Sequence, residues 1–228
     1  MTNKENSFEL RIVFDNRCKM DGFFTGFGFA ALIYNKFSEK YILFDTGGNS
    51  DVLIHNITQI NINPSEIGKV VISHNHHDHA GGLNGLYKLN SNIEIYVPKS
   101  IESSYIRKFI KATIFGVSNS IEIDQNIYSS GQIGESIKEQ ALLLKTKNNE
   151  SIILVGCAHP GLENYILKAQ EVSKVIAVIG GFHGFQKFSY LEGIDFIGAC
   201  HCTQHTKSIE KRFPDQFMQI CVGNSFSF

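Results

Sequence analysis

Apolar and polar positions along the chain fall into two regimes. At first the runs FELRIVF, FGFAALIY and KYILFDTGG are rich in aromatic and branched residues with turn chemistry between them, which predicts strands. The Asn49–Ser50–Asp51 cluster then opens a helix that stops before Pro64. From Lys69 onward, short continuous apolar runs alternate with amphipathic stretches. The order is KVVIS, a helix from about Leu83, IEIYVP, a helix near Ile101 to Lys111, EQALLLKT, SIILVG, a helix from Gly161 to about Lys174, KVIAVIGG, DFIGAC, a short helix and FMQICVG. Continuous apolar runs mark strands buried on both faces, so the chain reads as α/β. No Gly/Ser tract or charge block interrupts it, and residues 1–228 are expected to form one domain.

The strand ends carry the chemistry. KVVISHNHHDH supplies His74, His76, His77, Asp78 and His79; SIILVGCAHPG supplies His159; KVIAVIGGFHG supplies His183; and DFIGACHCTQH supplies His201 and His205. Eight of the nine histidines thus lie at or just past the end of a buried-type strand, and only His55 sits in a helical stretch. Open α/β sheets place ligands at the carboxyl ends of their strands. Four such strands in one sheet would bring these loops to a single edge.

Within SHNHHDHAGG the spacing H-x-H-x-D-H fits His74, His76, Asp78 and His79. Alternate side chains of extended backbone share a face, so His74 and His76 can aim together while Asp78 and His79, past the turn, serve a neighbouring position. Imidazole with carboxylate suits zinc, iron or manganese rather than magnesium or calcium. His77 is expected to be exposed, and His205, at a helix start, to be polar surface. Asp45, in FDTGG, reads on its own as a turn residue, and Arg17 is read as a solvated loop side chain.

Composition narrows the partners. With 21 basic and 22 acidic residues and no dense Lys/Arg block, no electrostatic footprint for nucleic acid appears. The longest apolar runs are too short to span a membrane, and MTNKENSFELRIVF lacks the pattern of a signal peptide. Five cysteines, an odd number without C-x-x-C, are expected to be reduced thiols of a cytoplasmic protein. In CHC the strand alternation would turn His201 away from Cys200 and Cys202, leaving both thiols inert.

SHNHHDHAGGL resembles the signature of the metallo-β-lactamase superfamily, with FDTGG, GCAHPG and GACHCT similar to its other motifs in the same order. The resemblance covers most of the chain and implies a four-layer αββα sandwich. Together, GCAHPG, IGGFHG and CHCT resemble a subgroup named after a dihydropterin ribofuranosyl-aminobenzene phosphate synthase. Carried over, the resemblance puts His74, His76 and His159 on a first metal ion and Asp78, His79 and His201 on a second, with Asp45 bracing the ligand loop. Zinc is the first expectation, iron or manganese the alternatives, with one ion or two. Where the family usually has an aspartate bridging two ions, this chain has His183, which is then a ligand or an acid–base group facing substrate. The implied activity is hydrolysis of a small-molecule ester, phosphoester or amide, with Asp78 and His183 as catalytic groups. A pterin-type transferase is the alternative, and a mononuclear iron oxygen-handling protein a further one.

Overall fold

The computed structural model describes residues 6–228, in two seven-stranded mixed sheets packed face to face with helices outside. The first sheet holds β1 (Phe8–Phe14), β2 (Ala30–Asn35), β3 (Lys40–Phe44), β4 (Lys69–Val71), β5 (Glu94–Pro98) and β6 (Thr113–Val117). The second holds β7 (Ile121–Asp124), β8 (Ile127–Ser129), β9 (Leu142–Lys145), β10 (Glu150–Val155), β11 (Lys174–Gly181), β12 (Phe196–Cys200) and β13 (Phe217–Gln219). The last strand, β14 (Ser225–Ser227), returns to the first sheet beside β1, giving the orders β14-β1-β2-β3-β4-β5-β6 and β13-β12-β11-β10-β9-β8-β7. Strands β3 to β6 run parallel, as do β10 to β13.

Period-two alternation builds the layers. In β3, Ile42 and Phe44 point into the space between the sheets, while Leu43 points out. The inner core joins Ile12, Ile33 and Val71 of the first sheet to Leu142, Leu154 and Ile179 of the second. Outside the first sheet, Leu53 and Ile57 of α1 (Ser50–Gln59), Leu83 and Leu86 of α3 (Leu83–Leu89, after the short α2, His77–Ala80) and Tyr105 of α4 (Glu102–Lys108) close one outer layer. Leu162, Tyr165 and Ile166 of α5 (Leu162–Gln170) and Ile209 of α6 (Thr206–Arg212) close the other. The result is the expected four-layer αββα sandwich. Among the described residues no helix is long and apolar enough to cross a membrane.

Three expectations need correction. The histidine-bearing strands do not share one sheet: β4 belongs to the first, and β10, β11 and β12 to the second. Strand composition cannot tell which of two facing sheets receives a buried strand. Second, the thiols are not all reduced, because Cys18 and Cys221 form a disulfide across a sequence separation of 203. Cys18 follows β1, and β14 returns to pair with that strand, so the first and last strands meet there. Third, β6, β7 and β8 fill a stretch for which the apolar pattern names no strand; β6 and β7 keep exposed or half-buried positions that blur the alternation.

Peptide mapping without reductant should recover Cys18 linked to Cys221, with Cys157, Cys200 and Cys202 alkylated as free thiols. Reducing the bond should lower the unfolding free energy by about 2–4 kcal/mol, the usual worth of a long-loop crosslink. Five alkylated cysteines in the unreduced protein would contradict the pairing.

Candidate metal centre

Six strands, β1, β3, β4, β10, β11 and β12, end at one edge of the sandwich and bring Asp15, Asp45, His74, His159, His183 and His201 to it. The chain turns sharply there. Asp45, Ala158, His183 and His201 all adopt positive φ, between 42° and 58°, a region that costs a residue with Cβ. Such turns project side chains past the sheet edge instead of continuing the strand. Gly28 allows the closest backbone approach: its φ is +141°, and a Cβ there would stand 2.1 Å from the carbonyl oxygen of Asp78.

Two sets of donors face the edge. The donor atoms of His74, His76 and His159 lie within 4.8 Å of one another, as do those of Asp78, His79 and His201. His74 Nε2 and His76 Nδ1 are 3.0 Å apart. His79 Nε2 and His201 Nε2 are 3.2 Å apart, and Asp78 Oδ2 lies 3.1 Å from the latter and 3.6 Å from the former. Ligand atoms about 2.0–2.1 Å from a tetrahedral ion stand roughly 3.3–3.4 Å from each other, so these separations fit a shared cation.

The far side of each ring decides which nitrogen is free. His79 Nδ1 meets Asp45 Oδ2 at 2.7 Å, and His201 Nδ1 meets Asn16 Oδ1 at 2.7 Å. Carboxylate and amide oxygens only accept, so both Nδ1 atoms carry the proton and both Nε2 atoms present lone pairs. Two lone-pair nitrogens and a carboxylate oxygen then converge with no proton among them, an arrangement that a cation relieves. His74 Nδ1 meets Ser73 Oγ at 2.9 Å, and His159 Nδ1 donates to Glu139 Oε2 at 2.9 Å. Fixing the tautomer and tilt of a ring from behind prepares it for metal.

Asp45 and Glu139 anchor the two loops. Asp45 is fully buried and accepts from the Ser73 backbone N–H (2.6 Å), the Ser73 hydroxyl (2.7 Å) and His79. Burial raises the pKa of its carboxyl against the pull of these donors, and the same desolvation pushes His74 and His79 down to about 3, so both imidazoles are neutral. Glu139 accepts the backbone N–H groups of Cys157, Ala158 and His159 at 2.8–2.9 Å as well as the His159 ring. Burial alone would raise its pKa, but these donors hold the carboxyl at about 2.

The other predicted residues distribute as follows. His77 is exposed, and His205, half-buried, immediately precedes α6 and bonds Gln186. His55 stacks on Phe24. His183 is exposed and joins no donor set among the described residues; its ring centroid lies 5.0 Å from that of His159. It lines an open cavity of 440 Å³ with His159, Glu163, Gln186 and Lys187. Arg17 is not a free solvated side chain, because its guanidinium donates to the carbonyls of His201 and Thr203. Nor does His201 turn away from both neighbouring thiols. It lies past the end of β12 in a left-handed turn, where strand alternation no longer applies, and its ring shares a donor group with Cys157 and Cys202.

Sequence reasoning missed Glu139, Asn16, Ser73 and Cys157. Glu139 left only one trace, an acid at the head of the apolar run EQALLLKT.

Replacing Glu139 with Gln tests that anchor. A carboxyl held below its ordinary 4.5 contributes stability that is complete above that pH and is lost as pH falls toward 2. Metal-free E139Q should therefore lose on the order of 3 kcal/mol at neutral pH and show a flatter acid limb, read by denaturant titration across the acid range. An unchanged acid limb would contradict the anchor.

A model of the metallo-beta-lactamase superfamily matches residues 25–123. A curated relative from Methanocaldococcus jannaschii, named 7,8-dihydropterin-6-methyl-4-(beta-D-ribofuranosyl)-aminobenzene-5'-phosphate synthase, is 28% identical over 89% of this chain and 90% of its own length. A solved structure described as a metal-dependent hydrolase of the beta-lactamase superfamily superposes with a TM-score of 0.80 at 23% identity, covering 97% of this chain and 99% of that one. A metallo-beta-lactamase fold protein from Bacillus subtilis superposes with a TM-score of 0.70 at 11% identity, covering 98% of this chain and 100% of its own.

Proposed function

For a chain with the metallo-β-lactamase fold, we propose a metal-dependent enzyme that hydrolyses a small-molecule ester, phosphoester or amide. The observation that carries this reading is the convergence of lone-pair donors, with the rings of His74, His79, His159 and His201 each held from behind. His74, His76 and His159 would hold one divalent ion and Asp78, His79 and His201 a second, zinc before iron or manganese. Such an ion supplies a water acidic enough to ionise near neutral pH and polarises the oxygen under attack.

The chain's own groups do the rest. Asp45 and Ser73 keep His74 and His79 in place, Glu139 does so for His159, and Asn16 for His201. Asp78 retains 16% exposure of its side chain and is placed to hold a proton of the attacking water. His183 stands over His159 on the open side, where its ring can hydrogen-bond the departing group. Phe27, 70% exposed and edge-on to the His201 ring at 5.5 Å, offers an apolar wall to the substrate.

A second reading, transfer in place of hydrolysis, is favoured by the curated relative, which matches this chain along nearly its whole length and is named as a synthase. On that reading the chain forms a bond between the 6-methyl carbon of a phosphorylated or pyrophosphorylated dihydropterin and a ribofuranosyl-aminobenzene phosphate. The C–O bond to the phosphate or pyrophosphate breaks, and that group leaves with the electron pair.

The decisive experiment assays metal-loaded and chelator-treated protein on phosphoesters, lactones and esters, and in parallel on the pterin pair. Hydrolysis that disappears with chelator and returns with zinc supports the first reading. Turnover of the pterin pair alone supports the second. In either case His183→Ala should keep the metal content while kcat falls about 10²-fold. Full activity in that variant would overturn the role of His183, and metal-replete protein with no ion at His74, His76 and His159 would overturn both readings.

A further inference from the structure

His183 does not stand between the two donor sets, but a sulfur does. Cys157 Sγ lies 3.1 Å from His79 Nε2, and the donor atoms of His74, His79 and Cys157 fall within 4.8 Å of one another. Those of Cys157, His201 and Cys202 do so as well. Cys157 is thereby within reach of His74 from the first set and of His79 and His201 from the second. Its side chain is buried, and its position is rigidly set, because its backbone N–H donates to Glu139 Oε1 at 2.9 Å. The next residue, Ala158, turns through positive φ and sends His159 to the edge, leaving Cys157 beneath the cluster.

We propose that the Cys157 thiolate is itself a metal ligand, a sulfur donor lying between the two sets of imidazole and carboxylate ligands. The proposal rests on the metal-dependent reading above and deepens it. On binding, the S–H bond breaks, the proton leaves to solvent, and sulfur donates its electron pair to the ion; no redox change occurs. Cys202, half-buried, groups with Cys157 and His201 only, and its thiol points to the Cys157 carbonyl at 3.9 Å. It is a neighbour of the ligand and not a second one. A thiolate in the ligand set favours zinc and iron(II) over manganese, magnesium and calcium, so the chain selects its metal class through Cys157.

Cobalt(II) tests this directly, since bound thiolate gives a near-ultraviolet sulfur-to-cobalt charge-transfer band distinct from the visible ligand-field bands that any site produces. The cobalt-loaded wild type should show both. Cys157→Ser, checked for folding by far-ultraviolet circular dichroism, should keep visible bands and lose the charge-transfer band, whereas Cys202→Ser should keep both. Zinc affinity of Cys157→Ser should fall by more than the ~10–100-fold that loss of a supporting partner costs, and its preference for zinc over manganese should narrow. Visible bands without charge transfer in the wild type would overturn the sulfur ligand while leaving the histidine centre standing, and this arm needs no variant to fold. Persistence of the charge-transfer band in Cys157→Ser, or its loss in Cys202→Ser alone, would also overturn it. Absence of bound cobalt in the wild type would overturn both the ligand and the reading beneath it.

Discussion

The site depends on one buried carboxylate. Asp45 turns the chain at the end of β3 and takes three hydrogen bonds, two from Ser73 and one from His79. A carboxylate removed from water is costly unless its lone pairs are filled, so each of these donors is drawn to a fixed place. Thr46 follows and binds the His79 carbonyl through both its backbone N–H and its hydroxyl. The segment from Ser73 to His79 is thus wrapped around the end of β3. The second sheet fits against the same point, because a Cβ at Gly156 would stand 2.2 Å from Ser73 Oγ and 3.0 Å from Asp45 Oδ2. Only glycine lets the two sheets close there.

What the sequence shows and hides follows from the range of each interaction. The spacing of His74, His76, Asp78 and His79 is local, and a short turn converts it into convergent donors, so the pattern is legible. His159 and His201 are legible because an apolar strand marks where each loop begins. Glu139 is not. It acts on three backbone N–H groups nearly twenty residues away, and backbone groups carry no residue identity for a pattern to register. Asn16 and Arg17 support the His201 loop across more than 180 residues and look like an ordinary turn. Cys157 sits inside a recognisable motif, but one thiol without C-x-x-C spacing reads as an ordinary reduced cysteine, and its nearness to His79 and His201 arises only when the two sheets close.

The fold was legible for the same reason that the assignment of strands to sheets was not. A continuous apolar run reports a strand buried on both faces, and β2, β5, β9, β10, β11 and β12 carry such runs. Pairing partners depend on contacts between strands, which the pattern of one strand does not contain. Two sheets buried on both faces therefore look like one long sheet in sequence.

The division of donors between the sheets has a consequence for the life of the protein. Neither half of the chain completes a donor set: the first set draws His74 and His76 from the loop after β4 but His159 from the second sheet. The second set likewise adds His201 to Asp78 and His79. An ion in either set would fasten one half of the sandwich to the other, and its binding free energy would add to that of folding. The supply of metal would then act as a clock on turnover, with molecules left unfilled opening more often at this edge and reaching proteases first.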